Sequence, residues 1–290
     1  MTGAAGGPLV AVLPAGIDDP RSPSGGNTYD RRVLAGLGNP REILARQGDD
    51  ARLASDLSDL PDKTTVLLDG LIGCAAPAVL EAERDRLRLV VLVHLPLGDE
   101  PGAPPHLTTL EGRALRAAHA VVATSDDAAR RVEQLHDLPD GSVHVASPGV
   151  DPAPETEPSA DGNRLLCVAA VTPRKAQDVL VAALRTLEDL HWQCRCVGAG
   201  DSEFADRVRA GTTRVQFPGP RTGAALDEEY AAADLLVLPS RAETYGMVVT
   251  EALARGVPVL GTRVHGVPEA LGTAPERGGT MTAAPGWRAA

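Results

Sequence analysis

The residues best suited to chemistry lie in PSRAETYGMVVTEAL (239–253), where Glu243 and Glu251 stand eight residues apart. Glu243 falls in the loop after the apolar run DLLVLPS (234–240). Glu251 falls about one turn into a helix that the spacing predicts to open near Met247. An ionised carboxylate accepts two charge-assisted hydrogen bonds, so a pair placed here suits sugar or ribose hydroxyls. A phosphate would instead be drawn to the free N–H groups at the start of the helix. A second segment, VTPRKAQDVL (171–180), sets Arg174 and Lys175 in the turn between a strand and a helix. Two cations beside a helix N-terminus can clamp a diphosphate; taken alone, such a pair is more commonly a solvated basic patch.

The N-terminal half offers a third group. In PRSPSGGNTYDRRV (20–33), Gly25 and Gly26 permit a positive φ and close backbone approach, and Asn27 or Thr28 can cap the helix that follows. By itself a glycine-rich loop is usually a turn. His94 ends the run LRLVVLVHL, and Asp69 ends TTVLLDGL. A lone histidine after a buried strand is usually structural, but the C-terminal end of a parallel strand is where open sheets bind ligands. Asp69 is equally suited to binding acceptor hydroxyls and to capping a helix. Thr124 and Ser125 end AVVATS in a similar place.

These side chains need a scaffold of parallel strands. Short Val/Leu/Ile runs of the kind buried in parallel sheets occur at 8–15, 64–71, 87–95, 120–125 and 142–149, with helical spacing in TYDRRVLAGL and LEGRALRAAHA between them. VDPAPETEPSADGN (150–163), with three prolines and four acidic residues, reads as a linker. A second series follows: strands in RLLCVAAV, WQCRCVGAG, TRVQFPG, DLLVLPS and PVLGT, and helices over 177–190, 226–233 and 247–256. The expectation is two α/β domains, 1–149 and 164–271, facing a cleft, then an irregular tail at 272–290 with no convincing helix or strand.

Composition removes several function classes. The chain has 290 residues, a net charge of −11 and 2% aromatics, which argues against an electrostatic or base-stacking nucleic-acid binder. No run reaches the roughly 18 apolar residues of a membrane span. The N-terminus lacks basic residues before its apolar run and reads as a first strand, not a signal peptide. Cys74, Cys167, Cys194 and Cys196 form no zinc-type pairs and read as core thiols. A reduced, cytoplasmic location is the default.

The segment from 239 to 271, with its Glu-x7-Glu pair followed by EALARGVPVLGT and GVPEAL, resembles the retaining GT-B glycosyltransferases of family GT4, and the likeness runs from Gly25 to Leu271. The resemblance implies two Rossmann-like domains and transfer of a hexose-type sugar from a nucleoside-diphosphate sugar to an acceptor hydroxyl, with retention and without a metal or other cofactor. It assigns the donor sugar to Glu243, the ribose to Glu251, the phosphates to the backbone of Gly246, Met247 and Val248 and to Arg174 and Lys175, and the donor diphosphate also to the Gly25–Gly26 loop. His94 would stand near donor sugar and acceptor, with Glu243, His94 and Lys175 as the catalytic set and Asn27 and Asp69 on the acceptor side.

Three departures from the family pattern stand out. Ala169-Ala170 replaces a common Gly-Arg, Ala176 replaces a glycine after the lysine, and His265-Gly266 replaces two glycines. A side chain at His265 either crowds the nucleotide or lies on the surface. After GVPEAL the family continues with a further strand, a GD-containing loop and helices, which 272–290 does not supply, so an incomplete second domain is expected. Rival readings are a sugar-nucleotide epimerase or phosphorylase on the same architecture, and a non-catalytic sugar-nucleotide binder.

Overall fold

The computed structural model describes residues 8–200 and 202–272 and the backbone of Met281–Ala283. The chain divides into two compact units, Met1–Asp18 with Ser24–Ser147, and Asp19–Pro23 with Pro148–Ala290.

The first unit alternates strand and helix: β1 (Leu9–Pro14), α1 (Gly25–Gly36), β2 (Arg41–Ala45), α2 (Asp50–Ser58), β3 (Thr65–Asp69), α3 (Gly70–Gly73), α4 (Pro77–Glu83), β4 (Arg88–Val93), α5 (His106–Ala117), β5 (Ala120–Ala123), α6 (Asp126–His136) and β6 (Val143–Val145). The six strands are parallel, in the order β2-β1-β3-β4-β5-β6. From β1 the chain first winds outward to β2, then crosses back to β3 and continues the other way. The carboxyl ends of β1 and β3 therefore flank a reversal of winding, the place where open α/β sheets hold ligands. Val12, Val66, Leu68, Leu89 and Val91 are buried under Leu53, Leu57 and Leu80 of the covering helices. The edge strand β2 has no counterpart in the sequence reading: three of its five residues are exposed, so it lacks the apolar run of a central strand.

The second unit comprises β7 (Arg164–Val168), α7 (Gln177–Arg185), β8 (Gln193–Val197), α8 (Glu203–Ala210), β9 (Val215–Gly219), α9 (Ala224–Ala231), β10 (Leu235–Leu238), α10 (Met247–Leu253), β11 (Val259–Gly261), α11 (Val267–Ala270) and β12 (Met281–Ala283). The sheet order is β12-β11-β10-β7-β8-β9, with β12 antiparallel to β11 and the other pairs parallel. Here the reversal lies between β7 and β10. Both faces are covered: Tyr230, Leu236, Val249 and Val267 pack on one side, and Cys167, Leu180, Cys194, Cys196 and Val208 on the other. All four cysteines are buried free thiols. Helix α7 stops at Arg185, short of the expected 190, and its C-cap Thr186 donates its hydroxyl to the Ala183 carbonyl at 2.7 Å.

Residues 150–163 form no helix or strand, but they are fastened to the second unit. Asp234 accepts from the amide and hydroxyl of Ser159 at 2.6 and 2.7 Å, and the Thr156 amide donates to Arg255 at 2.8 Å. Strand β12 corrects the expectation of no strand in the tail; residues 273–280 and 284–290 lie outside the described residues. No helix among the described residues is long and apolar enough to cross a membrane.

Candidate active site

In the second unit the loops after β7 and β10 meet at the reversal of winding. The turn after β7 closes when Lys175 and Ala176 donate their amides to the Thr172 carbonyl at 3.1 and 3.2 Å. This aims the Lys175 ammonium at Glu243, whose Oε1 it reaches at 2.6 Å. Ser240, buried at the end of the β10 run, donates its hydroxyl to the same oxygen at 2.7 Å. Glu243 is 5% exposed, and a carboxylate so buried is tolerated because a cation and a hydroxyl compensate it. Both bonds fall on Oε1, which leaves Oε2 outside this pair of contacts.

Arg174 donates to the Ala242 carbonyl at 3.4 Å and accepts the Arg241 amide on its own carbonyl at 2.8 Å. It thus lies along the Glu243 loop, not out in solvent. Arg241, which the sequence reading passed over, staples the two loops: its guanidinium bonds Pro173 at 2.6 Å and grips Asp178 at 3.0 and 2.8 Å. That grip holds the Asp178 carboxyl below its ordinary range.

Gly246 caps α10 at φ +90°, a conformation that favours glycine, and no side chain caps this helix start, where Met247 and Val248 supply the first amides. Glu251, on the same helix, takes the buried Tyr230 hydroxyl on Oε2 at 2.7 Å. Burial, and then the Glu251 charge, push the Tyr230 phenol well up. The Arg255 guanidinium lies 4.7 Å from the centre of the Tyr230 ring. The structure therefore joins Lys175 directly to Glu243, sets Arg174 against the backbone of the same loop, and gives Glu251 a partner of its own, Tyr230, for which LDEEYAAA gave no positional signal.

At the end of the segment, a Cβ on Gly266 would stand 2.1 Å from the Thr244 carbonyl oxygen, and the Gly266 amide donates to the Glu243 carbonyl at 3.1 Å. The close backbone approach therefore belongs to Gly266. His265 takes φ +44° and is exposed, the surface alternative of the two.

The first unit holds a second cluster. Gly25 and Gly26 are not a positive-φ loop; they form the first turn of α1, capped by Ser24, whose hydroxyl accepts the Asn27 amide at 3.1 Å. Neither Asn27 nor Thr28 is the cap. The Asn27 side chain instead ties the helix start to the Ile17 carbonyl at 3.0 Å, and the Thr28 hydroxyl bonds the Ser24 carbonyl. Gly26 is needed for space, because a Cβ there would meet the His94 ring at 3.2 Å.

His94 Nε2 lies 2.7 Å from Asp30 Oδ1 and 3.6 Å from Asp69 Oδ2. Asp69 also caps α3, accepting the Leu71 amide on Oδ1 at 2.6 Å, so it combines a capping role with a place in the cluster. Burial, together with the Asp30 charge, pushes the Asp69 carboxyl up to about 7, against the opposing pull of His94. Burial alone would lower the His94 value, but the Asp30 bond and the two carboxylate charges outweigh it and raise it. The three ligand-type atoms lie within 4.8 Å of one another. The Tyr29 ring packs edge-on to His94 at 5.3 Å and donates its hydroxyl to Ala146 at 2.9 Å. Asp30 escaped the sequence reading; the available signal was a carboxylate flanked by Tyr29 on the buried stripe of α1. Ser125 caps α6 at 2.9 Å, and the buried Thr124 hydroxyl has no partner.

Two open sheets, the first parallel and the second parallel but for β12, each with its polar cluster beside a reversal of winding, define a class of twin Rossmann-like units. Residues 162–286 match the model described as Glycosyl transferases group 1, and residues 66–154 match that of Glycosyltransferase Family 4. A D-inositol 3-phosphate glycosyltransferase of Mycobacterium leprae is 30% identical over 207 residues, covering 63% of this chain and 47% of that protein. One from Nocardiopsis dassonvillei is 32% identical over 204 residues, covering 60% and 46%. The chain thus spans about half the length of the curated relatives it matches.

Among solved structures, sucrose-phosphate synthase of Thermosynechococcus elongatus superimposes with a TM-score of 0.70 at 18% identity, over 91% of this chain and 84% of that one. Anabaena HepE in complex with UDP-glucose gives 0.68 at 18%, over 90% and 82%. Two glycosyltransferase family models thus match separate parts of this chain, and its fold is that of the GT-B enzymes.

Proposed function

We propose that the protein moves a sugar from a nucleoside-diphosphate sugar to an acceptor hydroxyl with retention of anomeric configuration. The observation that carries this reading is the Lys175–Glu243–Ser240 network, a buried carboxylate held by a cation at the reversal of winding. Glu243 receives the hydroxyls of the donor sugar, and Glu251, steadied by Tyr230, those of the ribose. Arg174, Lys175 and the amides of Met247 and Val248 meet the diphosphate. Charge grows on that diphosphate as the glycosidic bond breaks, so prearranged cations and N–H groups lower the barrier more than they aid ground-state binding. In this reading the protein's own cations do this work and no metal is required. His94 serves the reacting sugar and the acceptor.

The curated relatives are named for D-inositol 3-phosphate; the acceptor proposed here is a hydroxyl compound, without that restriction. The four free thiols suit a reduced, cytoplasmic setting.

The test is Glu243→Gln, which keeps the side chain's shape and the possibility of a bond to Ser240. Screened against a panel of nucleotide sugars, it is expected to lose about 10²- to 10³-fold in kcat, as when a charge-stabilising group is removed, while nucleotide affinity persists. Turnover close to that of the unmodified protein would refute the assignment. Binding without turnover in the unmodified chain would favour a sugar-nucleotide binder.

A further inference from the structure

We propose that Asp30 is the positioning residue of His94: it binds the imidazole through Nε2 and leaves Nδ1 as the nitrogen offered, as an N–H donor, to an oxygen of the sugar or acceptor. The inference rests on the reading above, in which His94 serves the transfer site.

Asp30 is 1% exposed on the inward stripe of α1, where a carboxylate must be compensated or it costs several kcal/mol. The adjacent Arg31 is used elsewhere, bonding Asp18 and Glu42. The compensation comes from His94 at 2.7 Å. The ring is confined on three sides, by Asp30, by the Gly26 backbone and by the edge-on ring of Tyr29. Nothing in the apolar core requires a carboxylate here, and its second oxygen, Oδ2, is buried without a hydrogen-bond partner.

The protonation pattern follows from the neighbours. Among the described residues the charged groups facing His94 are Asp30 from α1 and Asp69 from the end of β3. A bare Nε2 lone pair aimed at the Asp30 carboxylate at 2.7 Å would be repelled, so Nε2 carries the proton and donates it to Asp30. Asp30, joined by Asp69 once it ionises, also favours the doubly protonated ring, which makes Nδ1 an N–H donor. A donor suits a substrate oxygen that is negative or becoming so; it does not abstract the proton of an attacking hydroxyl. His94 therefore stabilises charge and does not act as a base.

The experiment is ring ¹⁵N NMR on the full chain, with His94→Gln to assign the signals, beside pH profiles of kcat and KM for the unmodified protein and Asp30→Asn. The unmodified protein is expected to show Nε2–H and a titration midpoint above that of free imidazole. In Asp30→Asn the midpoint and the alkaline limb of kcat should move down together by about one pH unit. Its kcat should fall about tenfold, the scale of one lost charge-assisted bond, with KM for the nucleotide sugar held. A neutral ring protonated on Nδ1, or a midpoint no higher than free imidazole, overturns the proposal in the unmodified protein alone, whatever the folding of the variant. Unmoved midpoints in Asp30→Asn also overturn it. So does stoichiometric Mn²⁺ binding that broadens the His94 signals and is lost in the variant, which would make the cluster a cation site. If no nucleotide sugar is turned over, the proposed function fails, while the NMR still reads the Asp30–His94 pairing independently.

Discussion

Asp69→Asn should make the first unit more stable at alkaline pH and less sensitive to pH. The Asp69 carboxyl sits at about 7 against an ordinary 3.8, chiefly because it is buried and because Asp30 lies beside it. Between these values the folded state holds a proton that the unfolded chain has released, so stability falls as pH rises through this window and levels off above it. The full shift of about three pH units corresponds to about 4 kcal/mol, of which roughly 2.5 kcal/mol falls between about pH 5 and about pH 8.

Asparagine at this position keeps an oxygen for the Leu71 amide and offers an N–H to the unpartnered Asp30 Oδ2. His94 contributes a pH dependence of the same sign: its raised value adds stability that is complete below free imidazole's range and is lost above it. Because Asp30 is the larger influence on His94, most of that contribution cancels between the two proteins. Urea unfolding followed by circular dichroism should therefore show the variant gaining about 2 to 3 kcal/mol on the unmodified protein between about pH 5 and about pH 8. Parallel stability curves across that range would refute both the raised Asp69 and its coupling to Asp30.

Two further substitutions test the second unit. Tyr230→Phe removes the hydroxyl that holds Glu251 and should raise the nucleotide-sugar KM about tenfold with kcat little changed; calorimetric titration showing unchanged affinity would deny Glu251 a binding role. Gly266→Ala places a Cβ 2.1 Å from the Thr244 carbonyl and should cost about 1–3 kcal/mol, the range for forced overpacking, with loss of transfer as the Glu243 loop shifts; an unchanged Tm would contradict the close backbone approach.

The central strands were legible because a strand buried on both faces must be apolar throughout, as in VVLV and LLVL. Edge strand β2 and helices α2, α4, α6 and α8 were not read. Their half-polar patterns, such as REILA and DDAARRVEQLH, do not stand out from exposed loops by composition. Glu243, Lys175 and His94 stand out by motif, but the contact between Lys175 and Glu243, 68 residues apart, exists because the sheet order sets β7 beside β10. Spacing along the chain carries no such information. Gly25 and Gly26 form no positive-φ turn but open α1, where Gly26 gives the close approach to the His94 ring; Ser24, a strong capping residue, marks the helix start.

The departures in the turn after β7 bear on how charge is shared. Ala176 occupies the left-handed region at φ +55°, where an L-residue pays about 1–2 kcal/mol. It is held there by its amide bond to Thr172 and by complete burial, so the turn keeps its shape without glycine. Ala169 and Ala170 contribute no cation. Their carbonyls receive the buried Gln177 amide, at 3.0 Å on Ala170, which fixes the turn from beneath. Arg241 does not restore the missing charge, because its guanidinium is already committed to Asp178 and Pro173. In the proposed reaction a diphosphate would therefore be met by Arg174, Lys175 and the α10 amides. Its arrival would compete with Glu243 for the Lys175 ammonium, and each increment of charge drawn from that bond would leave the Glu243 carboxylate freer to accept sugar hydroxyls. Phosphate and sugar recognition are then coupled through one 2.6 Å contact.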